Sequence, residues 1–259
     1  RHLTLRADRC AIIHRDFCGE THPLSYRELW QQVNALSSLM AEWGIRQGDR
    51  VLIALPMTPL AAVAMLACAR LGAIHVVVYS SITSEALAQR IQACTPALIL
   101  HHSDSRGRES LPTIPSTAEN MRVVDTASAA YVQQLALHMD RHIPCVWLSS
   151  CEPSHILFTS GTSGVPKGIV RDTGGYAVAL LASLRHLFNL ADDEIFFTSA
   201  DVGWVTGHSY GIYAPLLAGL TTVMCESSAV NAPGQNWWHM VAELGITRML
   251  TIAGAIRLA

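Results

Sequence analysis

Residues 51–79 read VLIALPMTPLAAVAMLACARLGAIHVVVY, and the fold class turns on this stretch. Val51-Leu52-Ile53-Ala54-Leu55 is a short unbroken apolar run, the pattern of a strand buried on both faces. Pro56 and Pro59 end it, and an Ala-rich helix is predicted from Pro59 to Leu71, closing near Arg70 and Gly72. A strand at His75–Tyr79, a helix at Ser84–Ala93 and a strand at Ala97–His101 are predicted next. Strand, helix, strand, helix, strand in this order requires parallel strands joined by crossover helices, so the class is α/β. The uncharged run from Val51 to Ala69 reaches membrane-span length. Its two prolines divide it, and a buried strand followed by a helix accounts for it, so no membrane span is expected.

Working outward toward the N-terminus, Ser25-Tyr26-Arg27-Glu28 is a capping-box pattern. Leu29, Val33, Leu36, Met40 and Trp43 then recur at spacings of four and three, one apolar stripe of a helix that Gly44 stops. Toward the C-terminus, residues 103–154 are irregular, punctuated by Pro112, Pro115, Pro144 and Pro153 with a helix near Ala129–Met139. They form the candidate subdomain boundary. Strands are predicted at His155–Thr159, Gly168–Arg171, Ile195–Ser199 and Thr221–Cys225, with helices at Tyr176–Phe188 and Ile212–Leu217.

The composition bounds the function. Hydrophobic residues make up 50% of the 259 and charged residues 15%, against about 25% charged in an ordinary globular protein. With a mean hydropathy of +0.28 the chain has ample apolar surface to order itself, which excludes intrinsic disorder. A formal net charge of −2 gives no electrostatic footprint for nucleic acid or an anionic membrane. The seven cysteines form no C-x-x-C pair, and their odd count reads as reduced thiols in a cytoplasmic protein. Apart from His101-His102 no Cys or His residues cluster, so no metal site built from side chains is expected. The low charge, the opening at Arg1 and the close on Arg257-Leu258-Ala259 together lead us to expect a piece of a larger protein.

Three segments carry candidate chemistry. Phe158-Thr159-Ser160-Gly161-Thr162-Ser163-Gly164-Val165-Pro166-Lys167-Gly168 combines glycines that let backbone N–H groups approach an anion with hydroxyl donors and a lysine. That set suits a polyphosphate. It is not a Walker A loop, because Pro166 precedes the lysine and Gly168 follows it. Gly207-His208-Ser209-Tyr210-Gly211 fits the G-x-S-x-G elbow of α/β-hydrolases, with Glu226 and His239 as triad partners. Too little chain follows Ser209 for the strands that normally carry them. Asp201-Val202-Gly203-Trp204-Val205-Thr206-Gly207-His208 is an aromatic, His-bearing run suited either to a core or to the lining of a small apolar pocket.

The loop at 158–168, the run from Arg171 to Leu180, Asp201–Tyr210 and Ala214-Pro215-Leu216-Leu217-Ala218-Gly219 together resemble the AMP-forming short-chain acyl-CoA synthetases. Met65–His75 extends the likeness into the first half, with the motifs in the family's order, and the likeness is to the propionate- and acetate-activating members. The resemblance implies the parallel-sheet αβαβα layers of a large N-terminal adenylation domain across residues 1–259. The family's C-terminal domain, with its adenylation lysine, is expected to lie beyond Ala259. ATP with Mg2+, coenzyme A and a small carboxylate are the implied ligands. Thr159, Ser160, Gly161, Thr162, Ser163, Gly164 and Lys167 take the phosphate-holding role, Lys167 as the catalytic cation. Trp204, Val205, Thr206 and His208 line the acyl site, and Arg106, Gly107 and Thr206 meet coenzyme A. The chain departs from the family where Arg-Gly-Gly-Lys becomes Arg106-Gly107-Arg108-Glu109, where Gly-Gly-Phe becomes Ser80-Ser81-Ile82, and where Ala-Pro-Thr-Ala-Ile-Arg becomes Ile252-Ala253-Gly254-Ala255-Ile256-Arg257, without the proline. Propionate and acetate both stay open, as does a non-catalytic nucleotide-binding or interaction module.

Overall fold

The computed structural model describes residues 2–79, 82–103, 121–159, 166–226, 237–251 and 256. Helix α1 (His2–Leu5), strands β1 (Cys10–Arg15) and β2 (Thr21–Ser25) and helix α2 (Tyr26–Glu42) come first. Next are β3 (Arg50–Ala54), α3 (Pro59–Leu71), β4 (Ile74–Val77), α4 (Ser84–Cys94) and β5 (Leu98–His101). They are followed by β6 (Arg122–Asp125), α5 (Ala129–Ala136), β7 (Pro153–Thr159), β8 (Lys167–Asp172) and α6 (Gly174–His186). The last elements are β9 (Ile195–Thr198), a π-helix (Gly207–Tyr213), α7 (Ala214–Ala218), β10 (Thr221–Cys225), α8 (Trp237–Glu243) and β11 (Arg248–Leu250).

The chain divides into two compact units, one of Arg1–Leu29, Met57–Pro59 and Tyr176–Ala259, the other of Trp30–Pro56 and Leu60–Gly175. The second unit holds a six-stranded sheet in the order β6-β5-β3-β4-β7-β8, parallel except for the antiparallel edge strand β8. Val51 to Leu55 are at most 1% exposed, as the unbroken apolar run requires of a central strand. Its core packs Leu52, Val76, Ile99 and Phe158 of the sheet against Leu87, Ile91 and Cys94 of α4. The first unit holds a five-stranded sheet, β11-β9-β10-β1-β2, parallel but for β2 at its edge. Phe197, Val223 and Cys225 of that sheet meet Met240 of α8. Two mostly parallel sheets with crossover helices are the α/β class read from residues 51–101.

The capping box at the start of α2 is formed in full. Glu28 N–H donates to Ser25 Oγ at 3.2 Å while Ser25 N–H donates to the Glu28 carboxylate at 2.7 Å. Leu29, Val33, Leu36 and Met40 are buried, and Trp43 at the end of the stripe packs under the Arg122 guanidinium, 5.5 Å from the ring centre. None of the seven cysteines, all among the described residues, is in a disulfide. Among the described residues no helix is long and apolar enough to cross a membrane. Residues 104–120 lie outside the described residues, and the remainder of 103–154 falls in the second unit.

In parallel sheets, ligand sites form where loops leave the carboxyl ends of the strands. Both candidate segments occupy such ends: the Ser/Thr/Gly loop leaves β7 at Thr159, and the Asp201 segment leaves β9 at Thr198.

Candidate functional site

In the second unit, β7 and β8 form an antiparallel hairpin whose last cross-strand pair is Thr159 with Lys167. This register sets both residues at the base of the loop, and both are exposed. Thr159 Oγ1 donates to the Lys167 carbonyl at 3.5 Å, so the lysine's backbone is tied to the hairpin while its side chain stays in solvent. Gly168 leaves room for the neighbouring strand: a Cβ there would sit 2.9 Å from Ile156 Cγ2 and 3.3 Å from the Phe158 ring. Phe158 is in turn covered by the Arg90 guanidinium at 5.6 Å. Ser160, Gly161, Thr162, Ser163 and Gly164 lie outside the described residues, as do Arg106, Gly107, Arg108 and Glu109.

The same strand carries a feature that the sequence reading missed. His155 of β7 is the register partner of His75 of β4, and their buried rings stack with centroids 5.3 Å apart. Burial drives the His155 pKa down to about 4, with the positive charge of Arg171 adding to the effect. Burial, and then the neighbouring His155, hold His75 well below the ordinary histidine range. No local pattern announces such a pair, because the two residues are eighty positions apart and only strand register joins them.

In the first unit, β9 ends at Thr198 and the chain turns over Asp201, whose side chain accepts from Gly203 N–H at 2.7 Å and whose carbonyl accepts from Trp204 N–H at 2.9 Å. Trp204 and Val205 stand 46% and 51% exposed, Thr206 is half-buried, and His208 is fully buried. A helix predicted only at Ile212–Leu217 in fact begins at Val205 and runs to Ala218, widened to π geometry over Gly207–Tyr213.

The cause of that difference is Pro215, which has no N–H for the Gly211 carbonyl and whose ring crowds the preceding turn. The turn widens, Ala214 N–H donates instead to Ser209 C=O, and Thr222 Oγ1 donates to the freed Gly211 carbonyl at 2.6 Å. Gly207 is required by a close approach: a Cβ there would lie 2.1 Å from Asp201 O and 2.4 Å from Ala200 O.

This geometry also removes the hydrolase reading. Ser209 is 3% exposed inside a helix rather than lifted at a strand-to-helix elbow, and its hydroxyl is bonded to Tyr176 Oη at 2.8 Å. Glu226 pairs with His14 at 3.0 Å, and His239 is exposed on α8.

Around the buried His208, Tyr176 Oη lies 2.9 Å from Nδ1, and Tyr213 packs edge-on to Tyr176 with ring centres 5.8 Å apart. Tyr210 donates to Ser183 Oγ at 3.0 Å. The arrangement offers an exposed apolar pair, Trp204 and Val205, on a helix start that is held by buried polar contacts.

Comparison with known proteins follows the same lines. A family model described as AMP-binding enzyme matches residues 1–257. The chain is 36% identical over 259 positions to propionate–CoA ligase of Escherichia coli (strain K12), covering 92% of this chain and 41% of that protein. It is 36% identical over 279 positions to acetyl-coenzyme A synthetase of Methylobacterium radiotolerans, covering 99% and 43%. The crystal structure of a Brucella canis acyl-CoA synthetase superposes with a TM-score of 0.84 at 24% identity, over 97% of this chain and 46% of that one, a likeness of fold. The chain thus spans less than half the length of the curated relatives it matches. By its sequence across nearly every residue, it belongs to the AMP-binding enzyme family.

Proposed function

We propose that this chain is the phosphate- and acyl-holding part of an AMP-forming acyl-CoA ligase acting on a short-chain carboxylate, propionate or acetate. The observation that carries the reading is the β7–β8 hairpin, which sets exposed Thr159 and Lys167 side by side at the base of a Ser/Thr/Gly loop at the carboxyl end of a parallel sheet. A carboxylate oxygen attacks the α-phosphorus of ATP, and the bond to the β-phosphate oxygen breaks. Pyrophosphate leaves with the electron pair and an acyl-adenylate remains. The thiolate sulfur of coenzyme A then attacks the acyl carbon and AMP departs. The first step brings an anion to a polyanion, so neutralisation and alignment dominate the barrier. Thr159, Ser160, Gly161, Thr162, Ser163 and Gly164 supply donors to the phosphates in this scheme, and Lys167 supplies the positive charge. Magnesium enters on the triphosphate, as part of the substrate.

Trp204, Val205, Thr206 and His208 form the acyl side, the exposed apolar pair giving a short chain something to bury against. Arg106, Gly107 and Thr206 serve coenzyme A, with Glu109 standing where a lysine would attract that anionic ligand. Seven cysteines without a disulfide favour a reducing compartment, and we place the enzyme in the cytoplasm.

A second reading, nucleotide binding without turnover, is favoured by the altered family segments Ser80-Ser81-Ile82 and Arg106-Gly107-Arg108-Glu109. Carboxylate-dependent exchange of labelled pyrophosphate into ATP separates the two. Exchange that rises with propionate or acetate supports the ligase. ATP bound in calorimetry with no exchange supports the binding module, and absence of both refutes the phosphate-site assignment.

A further inference from the structure

We infer that Arg90 is a positioning residue for the nucleotide loop: its guanidinium clamps the Phe158 ring against Gly168, and so sets where the β7–β8 hairpin holds Thr159 and Lys167. The inference rests on the phosphate-site reading above and adds a determinant to that site.

The order of the sheet brings α4 to the loop. β4 and β7 are parallel neighbours, and α4 follows β4 in the chain. The helix therefore starts at the edge of the sheet where β7 ends in Thr159. Long helical side chains lean toward the N-terminus of their own helix. Arg90 does so, its Nη1 donating to the Ala86 carbonyl one turn back at 2.8 Å. That carries the guanidinium toward the loop end of the sheet, where it covers Phe158 at 5.6 Å from the ring centre.

For stability alone, Arg90 is a poor choice of residue. It is 9% exposed, and among the described residues it makes no ion pair and its guanidinium bonds to the Ala86 carbonyl only. Burial holds its pKa below the ordinary arginine value. A buried charge without a counter-ion costs stability, and an apolar side chain of similar volume often serves a core as well or better. What this cation has instead is the face of an aromatic ring, an attraction that grows as water is excluded.

The ring transmits the contact to the hairpin. Phe158 belongs to the core cluster that includes Leu87 and Ile91 of α4. Its edge fills the space above Gly168, its register partner, where a Cβ would lie 3.3 Å from the ring. The next pair along the hairpin is Thr159 with Lys167. Every residue of β8 from Lys167 to Asp172 is exposed. That strand is therefore placed by its pairing with β7 and by the contact at Gly168, not by burial of its own side chains. Side chains alternate along a strand, so Thr159 and Lys167 stand on the face opposite Phe158. A tilt of the ring moves the backbone under both of them together.

The test uses the 259-residue chain and two variants with their double. Arg90→Met removes the charge and keeps the stem, while Phe158→Leu removes the ring and keeps an apolar side chain. Each is expected to quicken amide hydrogen exchange at residues 156–159 and 167–170, and to weaken Mg·ATP about fivefold in calorimetry while adenosine binds as before. The double variant is expected to be no worse than either single one, because both cut the same link. Arg90→Met is expected to leave the urea midpoint in place or raise it. Unchanged exchange in the hairpin overturns the inference, as do losses of ATP affinity that multiply in the double variant. A midpoint that falls in step with ATP affinity, with exchange quickened throughout the second unit, makes Arg90 a general packing residue and also overturns it. Failure of the wild type to bind Mg·ATP, with hairpin exchange responding as expected, refutes the phosphate-site reading and with it the positioning role.

Discussion

Acidification from pH 7.5 to 4.5 is expected to weaken the fold through the stacked pair His75 and His155. In the unfolded chain a histidine titrates near 6.5, while in the fold His155 titrates at about 4 and His75 well below its ordinary value, both chiefly because burial penalises the charged ring. The unfolded state therefore takes up protons that the folded state refuses. Stability is at its plateau above pH 6.5 and falls steadily toward pH 4, where the folded form begins to bind the His155 proton and the slope from that residue ends. At about 1.4 kcal/mol per unit, the fall from 6.5 to about 4 at His155 corresponds to roughly 3 kcal/mol, a large share of the 5–15 kcal/mol typical of a domain. Protonating one ring also opposes protonating the other, since the centroids are 5.3 Å apart. Urea unfolding followed by far-UV circular dichroism, across this pH range, measures the effect. His155→Phe keeps the ring volume and removes the titration, so the difference between the two chains isolates the residue from the carboxylates that titrate in the same window. Wild type and variant with the same pH slope between 6.5 and 4.5 would show that His155 is not held neutral by the fold.

Gly207→Ala places a methyl 2.1 Å from the Asp201 carbonyl oxygen and is expected to destabilise the first unit by about 3 kcal/mol, read as a lowered urea midpoint. A midpoint within error of wild type would mean that the backbone around Gly207 yields to the added methyl at no cost. Thr222→Val keeps the shape but removes the hydroxyl that satisfies the Gly211 carbonyl, and about 1–2 kcal/mol of stability is expected to go with it. In the same comparison Thr221→Val removes a hydroxyl bonded to the Cys10 carbonyl, a contact outside the π-helix, and is expected to leave the near-UV signal of Tyr176 and Tyr213 unchanged.

The parts of the fold legible in the sequence are those where burial is written as an uninterrupted run. Val51–Leu55 could only be a central strand, and the Ala-rich helix at Pro59–Leu71 starts and stops where its proline and glycine say. Strands β1 and β2 escaped the reading because β1 offers only four apolar residues before His14 and Arg15, and β2 carries Pro23, a proline tolerated because β2 is an edge. Strand β6 is four residues long with two of them exposed, too little for any pattern. The π-helix was illegible for a different reason: Gly207, Gly211 and Pro215 read locally as breakers, and the groups that compensate for them, Thr222 and Tyr176, sit on other elements.

At the candidate site, the residue types of the phosphate loop were visible and the pairing of Thr159 with Lys167 follows from a hairpin. The network under Trp204 was not visible, because Tyr176 reads in sequence only as one more residue after two glycines.

The central claim, that the Ser/Thr/Gly loop and Lys167 hold a nucleotide triphosphate, is tested most directly by calorimetric titration of the chain with Mg·ATP, wild type against Lys167→Ala. Lys167 is exposed, so its removal is expected to leave the melting temperature in place. Loss of a charge-assisted contact to phosphate is expected to weaken ATP binding by about tenfold or more while binding of adenosine stays the same. ATP bound equally by both chains, or by neither, would contradict the account.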